Sequence, residues 1–318
     1  MEQVLIWLLF AVGLVLIVKG GDYFVDAASW IAEVSGVPKF VIGATIVSIA
    51  TTLPEVIVSL VAALQHETEM AVGNAVGSVT ANIGLITGIL FVCMPFAVER
   101  KQFFVKSLLM IASCAALLLF SFGGELGAAG TAVLFIIFAV FVTENIISAR
   151  RESQKEGAKK ASSKAKAGET AQNIVKFILG AAGIVIGARL LVDNGTKIAQ
   201  MFGVDERVIG LTMVAVGTSL PELVTTVTAI VKKQSGLSIG NIIGANIIDI
   251  SIILPLCSLV SGGALPIAQQ TVRLDLPICL VIILLAMLPV MITGKAKRYQ
   301  GVLMLAVYVG YILTLVLF

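Results

Sequence analysis

The chain has 318 residues, 58% of them hydrophobic and only 13% charged, with a formal net charge of +3 and a mean hydropathy of +1.04. A soluble domain usually carries about 25% charged residues. The composition therefore excludes an ordinary water-soluble enzyme and offers nothing to nucleic acid; it reads as an all-α polytopic membrane protein whose surroundings are the lipid bilayer.

Several apolar stretches approach or exceed the ~20 residues that a spanning helix needs, and ten helices are predicted in chain order. The first covers 4–33. Val4–Val18 is apolar, with neither a basic leader nor a small-residue cleavage site, so it reads as a retained helix. Lys19, Asp22, Asp26 and Glu33 then demand a polar face turned to protein or water. Helices follow at 39–64, 70–93, 103–121 and 127–148. Residues 149–170 break the pattern, with seven basic and three acidic side chains and no apolar periodicity; they read as a flexible cytoplasmic linker. The second half supplies helices at 172–201, 207–231, 236–260, 272–293 and 299–317. The chain thus divides into 1–148, a linker at 149–171, and 172–318. Cys93, Cys114, Cys257 and Cys279 lie in apolar runs without metal-ligand spacing and are expected as reduced, buried thiols.

The halves repeat one another. Val41–Asn82 aligns without a gap on Val208–Asp249 at an offset of 167, with 13 of 42 residues identical. Thr51-Thr52-Leu53-Pro54-Glu55 falls on Thr218-Ser219-Leu220-Pro221-Glu222, and Gly73-Asn74-Ala75-Val76-Gly77-Ser78 on Gly240-Asn241-Ile242-Ile243-Gly244-Ala245. Basic residues set the orientation. Lys39, the Arg100-Lys101 and Lys232-Lys233 pairs, and Lys295, Lys297 and Arg298 all fall in loops on the linker's side. The opposite loops hold few cations. Both termini are then expected outside the plasma membrane. With five helices per half, an odd number, the repeats insert with opposite topology.

Chemistry concentrates in the paired motifs. Proline lacks an N–H and crowds the carbonyl four residues back, so Pro54 and Pro221 are expected to free the carbonyls of Ala50 and Gly217. Each motif then offers carbonyls, two hydroxyls and a carboxylate within about five residues, and loosened backbone at membrane depth lines cavities or sites. Oxygen-only ligation suits hard cations such as Ca²⁺ and Na⁺. An acidic side chain at the bilayer centre costs about 2.5–3.5 kcal/mol on insertion scales, which argues against packing as the role of Glu55 and Glu222. The glycines of the second motif read mainly as helix-packing positions. One turn beyond it, Asn82 matches Asp249, so a site of Glu55, Glu222 and Asp249 with Asn82 as neutral counterpart is expected. His66 reads as exposed surface, and Asp26 with its match Asp193 as structural hydrogen bonding near a helix end.

These residues carry a resemblance: the chain is similar to the sodium/calcium exchanger family of the cation/Ca²⁺ exchanger superfamily, in its short prokaryotic form. The resemblance spans nearly the whole chain. It implies ten helices in two inverted repeats, ion sites built from helices 2, 3, 7 and 8, and helices 1 and 6 moving as a gate. Its ligand pattern falls here on Thr51, Thr52, Glu55, Ser78 and Asn82, and on Thr218, Ser219, Glu222 and Asp249. Ala50 and Thr52 stand where the family usually has Gly and Ser, and Val79-Thr80-Ala81 where Asn-Ile-Phe is usual. Ala245 replaces the serine that would mirror Ser78, removing one oxygen from the second half. The implied activity is exchange of Na⁺ for Ca²⁺ by a monomer without cofactor or enzymatic chemistry. A proton/Ca²⁺ antiporter, a cation channel and an intramembrane enzyme using Asp249 are the alternatives. The Ser-Leu-Pro-Glu run and the inverted halves disfavour the first two respectively.

Overall fold

A computed structural model describes residues 2–157, 167–203 and 217–317. It is nearly all helical. In chain order the helices are α1 (Glu2–Ser35), α2 (Lys39–Leu64), α3 (Thr68–Cys93), α4 (Arg100–Phe120), α5 (Ala128–Gly157), α6 (Ala167–Met201), α7 (Leu220–Val231), α8 (Ser235–Val260), α9 (Thr271–Thr293) and α10 (Arg298–Leu317). Among the described residues nine are long and apolar enough to cross a membrane, and α7 is a shorter apolar helix. The predicted start of helix 7, at 207–216, lies outside the described residues.

Proline placement accounts for some of the helix irregularities and not for others. A wide π turn interrupts α8 at Asp249–Ile253 and another opens α9 at Thr271–Asp275, each just before a proline, Pro255 or Pro277. The missing N–H and the ring displace the preceding turn. Two more π turns, Gly43–Val47 in α2 and Asn82–Thr87 in α3, have no such proline. Pro54 sits inside an uninterrupted helical stretch, Ser48–Leu64, whereas Pro221 opens α7 behind a turn at Thr218 and Ser219. The two motifs expected to break alike therefore differ.

α5 continues helically to Gly157 and α6 starts at Ala167, so only 158–166 of the expected linker lies outside the described residues. Arg150, Arg151, Glu152, Gln154 and Lys155 are good helix formers, and extending an existing helix needs no new nucleus.

α8 and α3 form the centre, with 83% and 72% of their most apolar windows buried, against 28% and 22% in α1 and α6. The main core draws on α2–α5 and α8–α10. α1 and α6 pair beside it, antiparallel and nearly backbone to backbone. A Cβ on Gly13 would lie 3.0 Å from the Gly187 carbonyl oxygen, and one on Gly20 would lie 2.8 Å from that of Gly180. α2 and α8 touch just as closely at Gly43 and Gly244. Lys106 of α4 is wholly buried, with Nζ 3.1 Å from Glu144 Oε2 of α5 and 4.8 Å from the centre of the Phe40 ring of α2. Short strand contacts tie loops at both ends of α4 and α9. Glu125–Leu126 pairs antiparallel with Leu265–Pro266, and Ala97 bridges Lys295.

All four cysteines are free. Cys114, Cys257 and Cys279 are buried; Cys93, expected to be buried, is exposed where α3 ends. His66 is exposed, with a positive φ in the turn after α2.

Candidate functional site: a carboxylate cluster between four helices

Glu55 lies one turn beyond Thr51 on α2, Glu222 in the first turn of α7, and Asp249 where the π turn of α8 begins. All three are buried. Both carboxylate oxygens of Glu55 and of Glu222, and Oδ1 of Asp249, lack a hydrogen-bond partner. The three acids are near enough to repel one another. Among the described residues, the ion pairs join Lys39 to Glu33, Lys106 to Glu144, and Lys232 to Asp22 and Asp26, and none reaches this cluster. Taking an ionised carboxylate out of water costs several kcal/mol even after relaxation. Three together without a cationic side chain form a site that gains from positive charge.

Neutral oxygens surround the acids. The Thr51 and Thr52 hydroxyls lie beside the Glu222 carboxylate, without the geometry of a full hydrogen bond to it. Thr51 Oγ1 instead donates to Asn241 Oδ1 at 3.1 Å, fastening α2 to α8. Ser78 Oγ and Thr218 Oγ1 meet at 3.3 Å, joining α3 to the turn before α7. Asn82 Nδ2 donates to Asn246 Oδ1 at 3.1 Å, joining α3 to α8. Asn74 Nδ2 reaches Ser59 Oγ at 2.9 Å and the Glu55 carbonyl at 3.3 Å, holding α3 on the carboxylate-bearing turn of α2. The Thr52 and Ser219 hydroxyls and Asn82 Oδ1 are buried and unpartnered.

The structure thus brings Thr51, Thr52, Glu55, Ser78, Asn82, Ser219, Glu222 and Asp249 into the buried interior, with Thr218 half-buried at its edge. Ala245 is fully buried and adds no oxygen. The sequence names Asn74 and Asn241 only as part of the Gly-Asn-x-x-Gly packing motif and does not single out Asn246, Ser59, Thr225 and Ser251, which are further polar groups in these helices. The repetition of that asparagine was the available signal for Asn74 and Asn241. Among the described residues, no three His, Cys, Asp or Glu side chains converge closely enough to hold a metal on their own. A cation bound here needs hydroxyl, amide or carbonyl oxygens as well, the donor set of hard ions such as Na⁺ and Ca²⁺. Asp26 lies away from this cluster, paired to Lys232 at 2.7 Å.

Fold and site together define an integral membrane protein with an oxygen-lined acidic site between helices. The family model described as "Sodium/calcium exchanger protein" matches residues 5–146 and 173–317, and the chain belongs to that family. It is 33% identical over 344 residues to the sodium/calcium exchanger MaX1 of Methanosarcina acetivorans, covering 97% of this chain and 98% of that one. It is 36% identical over 272 residues to the inner membrane protein YrbG of Escherichia coli, covering 82% of each. Among solved structures it is similar to the sodium-calcium exchanger NCX_Mj, with a TM-score of 0.81 at 32% identity over 96% of this chain and 97% of that one. Those NCX_Mj structures, soaked with Na⁺ and Sr²⁺ or Ca²⁺, concern extracellular ion exchange and induced occlusion of that protein's binding site.

Proposed function

We propose that this protein is a secondary antiporter that carries Na⁺ one way and Ca²⁺ the other, by alternating access at the cluster of Glu55, Glu222 and Asp249. The observation that carries this reading is the burial of three carboxylates with five oxygens unpartnered. An empty site would have to drag uncompensated negative charge through an occluded state, which is slow. Bound Ca²⁺ or several Na⁺ neutralise it, so the loaded carrier crosses and the empty one does not. Coupling follows from competition for the same oxygens. Ca²⁺ takes both Glu carboxylates with backbone carbonyls. Na⁺ ions divide the oxygens of Thr51, Thr52, Ser78, Asn82, Thr218, Ser219 and Asp249 with the Glu pair.

An inverted repeat underlies the alternation. Support comes from the α1–α6 crossing, where Gly13 meets Gly187 and Gly20 meets Gly180. At the offset of 167, Gly13 corresponds to Gly180 and Gly20 to Gly187, so the two contacts exchange under a two-fold operation. The contact of α2 with α8 at Thr51 and Asn241 and that of α3 with the turn before α7 at Ser78 and Thr218 join helix pairs that exchange under the same operation, since α2 corresponds to α7 and α3 to α8. The two matched stretches of the family model leave 147–172 between them, in keeping with two halves and a linker. The charge distribution favours a cytoplasmic linker with both termini outside; this reading takes the chain to reside in the plasma membrane and to work as a monomer.

Sodium-loaded proteoliposomes test this. Radiolabelled Ca²⁺ should accumulate under an outward Na⁺ gradient and stop when the gradient is abolished. Uptake that ignores sodium and follows a pH gradient would instead indicate proton exchange.

A further inference from the structure

The amide ends of asparagine are told apart by what they face, and a chain of three side chains fixes them at Asn82. Asn246 Nδ2 lies 4.0 Å from Met110 Sδ. A thioether sulfur only accepts, so the NH₂ end of Asn246 belongs on that side. Its oxygen then faces Asn82, and Asn82 answers with Nδ2 at 3.1 Å. Turning Asn82 over would set oxygen against oxygen. Asn82 Oδ1 is left pointing elsewhere, buried and without a partner. Asn82, Asn246 and Met110 are all buried, so water does not compete for these contacts.

The repeat shows why such a device belongs in one half only. At the offset of 167, Asn82 corresponds to Asp249 and Asn246 corresponds to Val79. An ionised carboxylate offers two equivalent acceptor oxygens and needs no orienting. An amide offers one acceptor, and its other end repels a cation. The half with the amide has an asparagine at the orienting position; the half with the carboxylate has a valine.

We infer that Met110 and Asn246 are positioning residues that lock the Asn82 amide with its oxygen free to ligate a cation. This rests on the reading of Asn82 as a ligand in the exchange site. The relay joins α4, which contributes no ligand, to the site on α3 through α8.

A double-mutant cycle on detergent-purified protein, reading equilibrium Ca²⁺ and Na⁺ binding rather than transport, tests it. Loss of a partner that orients a metal ligand typically costs about 10–100-fold in affinity, and Asn246→Leu should lose that much for whichever cation Asn82→Ala weakens. In the Asn82→Ala background, Asn246→Leu should cost nothing further, because it acts only through Asn82. Met110→Leu conserves volume and removes only the acceptor, so it gives a smaller loss that also vanishes in that background. It keeps the test open if Asn246→Leu misfolds. Losses that add, or an Asn82→Ala protein that binds both cations normally, overturn the relay. Normal cation binding in a protein that shows no sodium-driven Ca²⁺ transport counts against the exchange reading and leaves the cycle interpretable. Absence of all cation binding overturns both.

Discussion

Lys232 stands at the end of α7 and holds α1 at the face read as cytoplasmic. Its Nζ lies 2.7 Å from Asp26 Oδ1 and 3.3 Å from Asp22 Oδ1, and donates to the Asp22 carbonyl at 3.1 Å. The side chains of Lys232, Asp22 and Asp26 are 23%, 43% and 60% exposed, so solvent screens them. An exposed ion pair contributes about 0.2–1 kcal/mol and a hydrogen bond about 0.5–1.5 kcal/mol. Discounted for exposure, the cluster contributes about 1–2 kcal/mol, a factor of roughly 5–30 in an equilibrium. At the offset of 167 the corresponding residues are Gln65, Arg189 and Asp193, so the same lysine with two aspartates is not repeated in the other half. If α1 leaves α7 when the cytoplasmic side opens, Lys232→Ala raises the open population, and apparent affinity rises with the competent fraction. Where the cytoplasm-open state is the minor one, the expected result in inside-out vesicles is a cytoplasmic Ca²⁺ half-saturation lowered by up to roughly 5–30-fold, with Lys232→Arg near wild type. An unchanged half-saturation in Lys232→Ala would refute this role for the cluster.

Glu55→Gln and Glu222→Gln should each abolish radiotracer Ca²⁺ transport while the purified proteins keep their monodisperse profile; near-normal uptake by either would remove that residue from the site. Ala245→Ser should tighten apparent Na⁺ affinity with little effect on Ca²⁺, because it restores the oxygen that Ser78 supplies in the first half. Ser78→Ala should weaken Na⁺ affinity, and sodium titrations at fixed Ca²⁺ decide both. In a background without native cysteines, a cysteine at His66 should react with an impermeant reagent from outside and one at Arg151 only from the cytoplasm. Reaction of both from one side would contradict the inverted arrangement.

The duplicated motifs make the position of the acids legible in the sequence. Spacing puts Thr51 and Glu55 on one face of α2, and the offset of 167 marks Thr218 and Glu222 as their counterparts, although Thr218 lies in the turn before α7. Helix limits such as Lys39–Leu64 and Ser235–Val260 fall within a residue of expectation, because lipid demands long apolar runs ended by charge. The unequal prolines are not legible. Pro54 and Pro221 have the same local sequence, and only packing decides that one stays inside a continuous helix while the other starts one. The continuation of α5 to Gly157 is invisible to apolar periodicity and shows only in helix propensity. Asn246 and Lys106 are hidden for a third reason. Periodicity tells which face a side chain occupies, but which neighbour meets that face is a property of the assembled bundle.

Equilibrium Ca²⁺ binding to the purified protein at increasing Na⁺ examines whether the two ions share Glu55, Glu222 and Asp249. Sharing predicts that Na⁺ raises the Ca²⁺ half-saturation steadily without lowering capacity, that a bulky organic cation at equal ionic strength does not, and that Glu55→Gln removes the high-affinity binding. A Ca²⁺ affinity indifferent to Na⁺, or displacement by sodium that leaves Glu55→Gln binding intact, would contradict it.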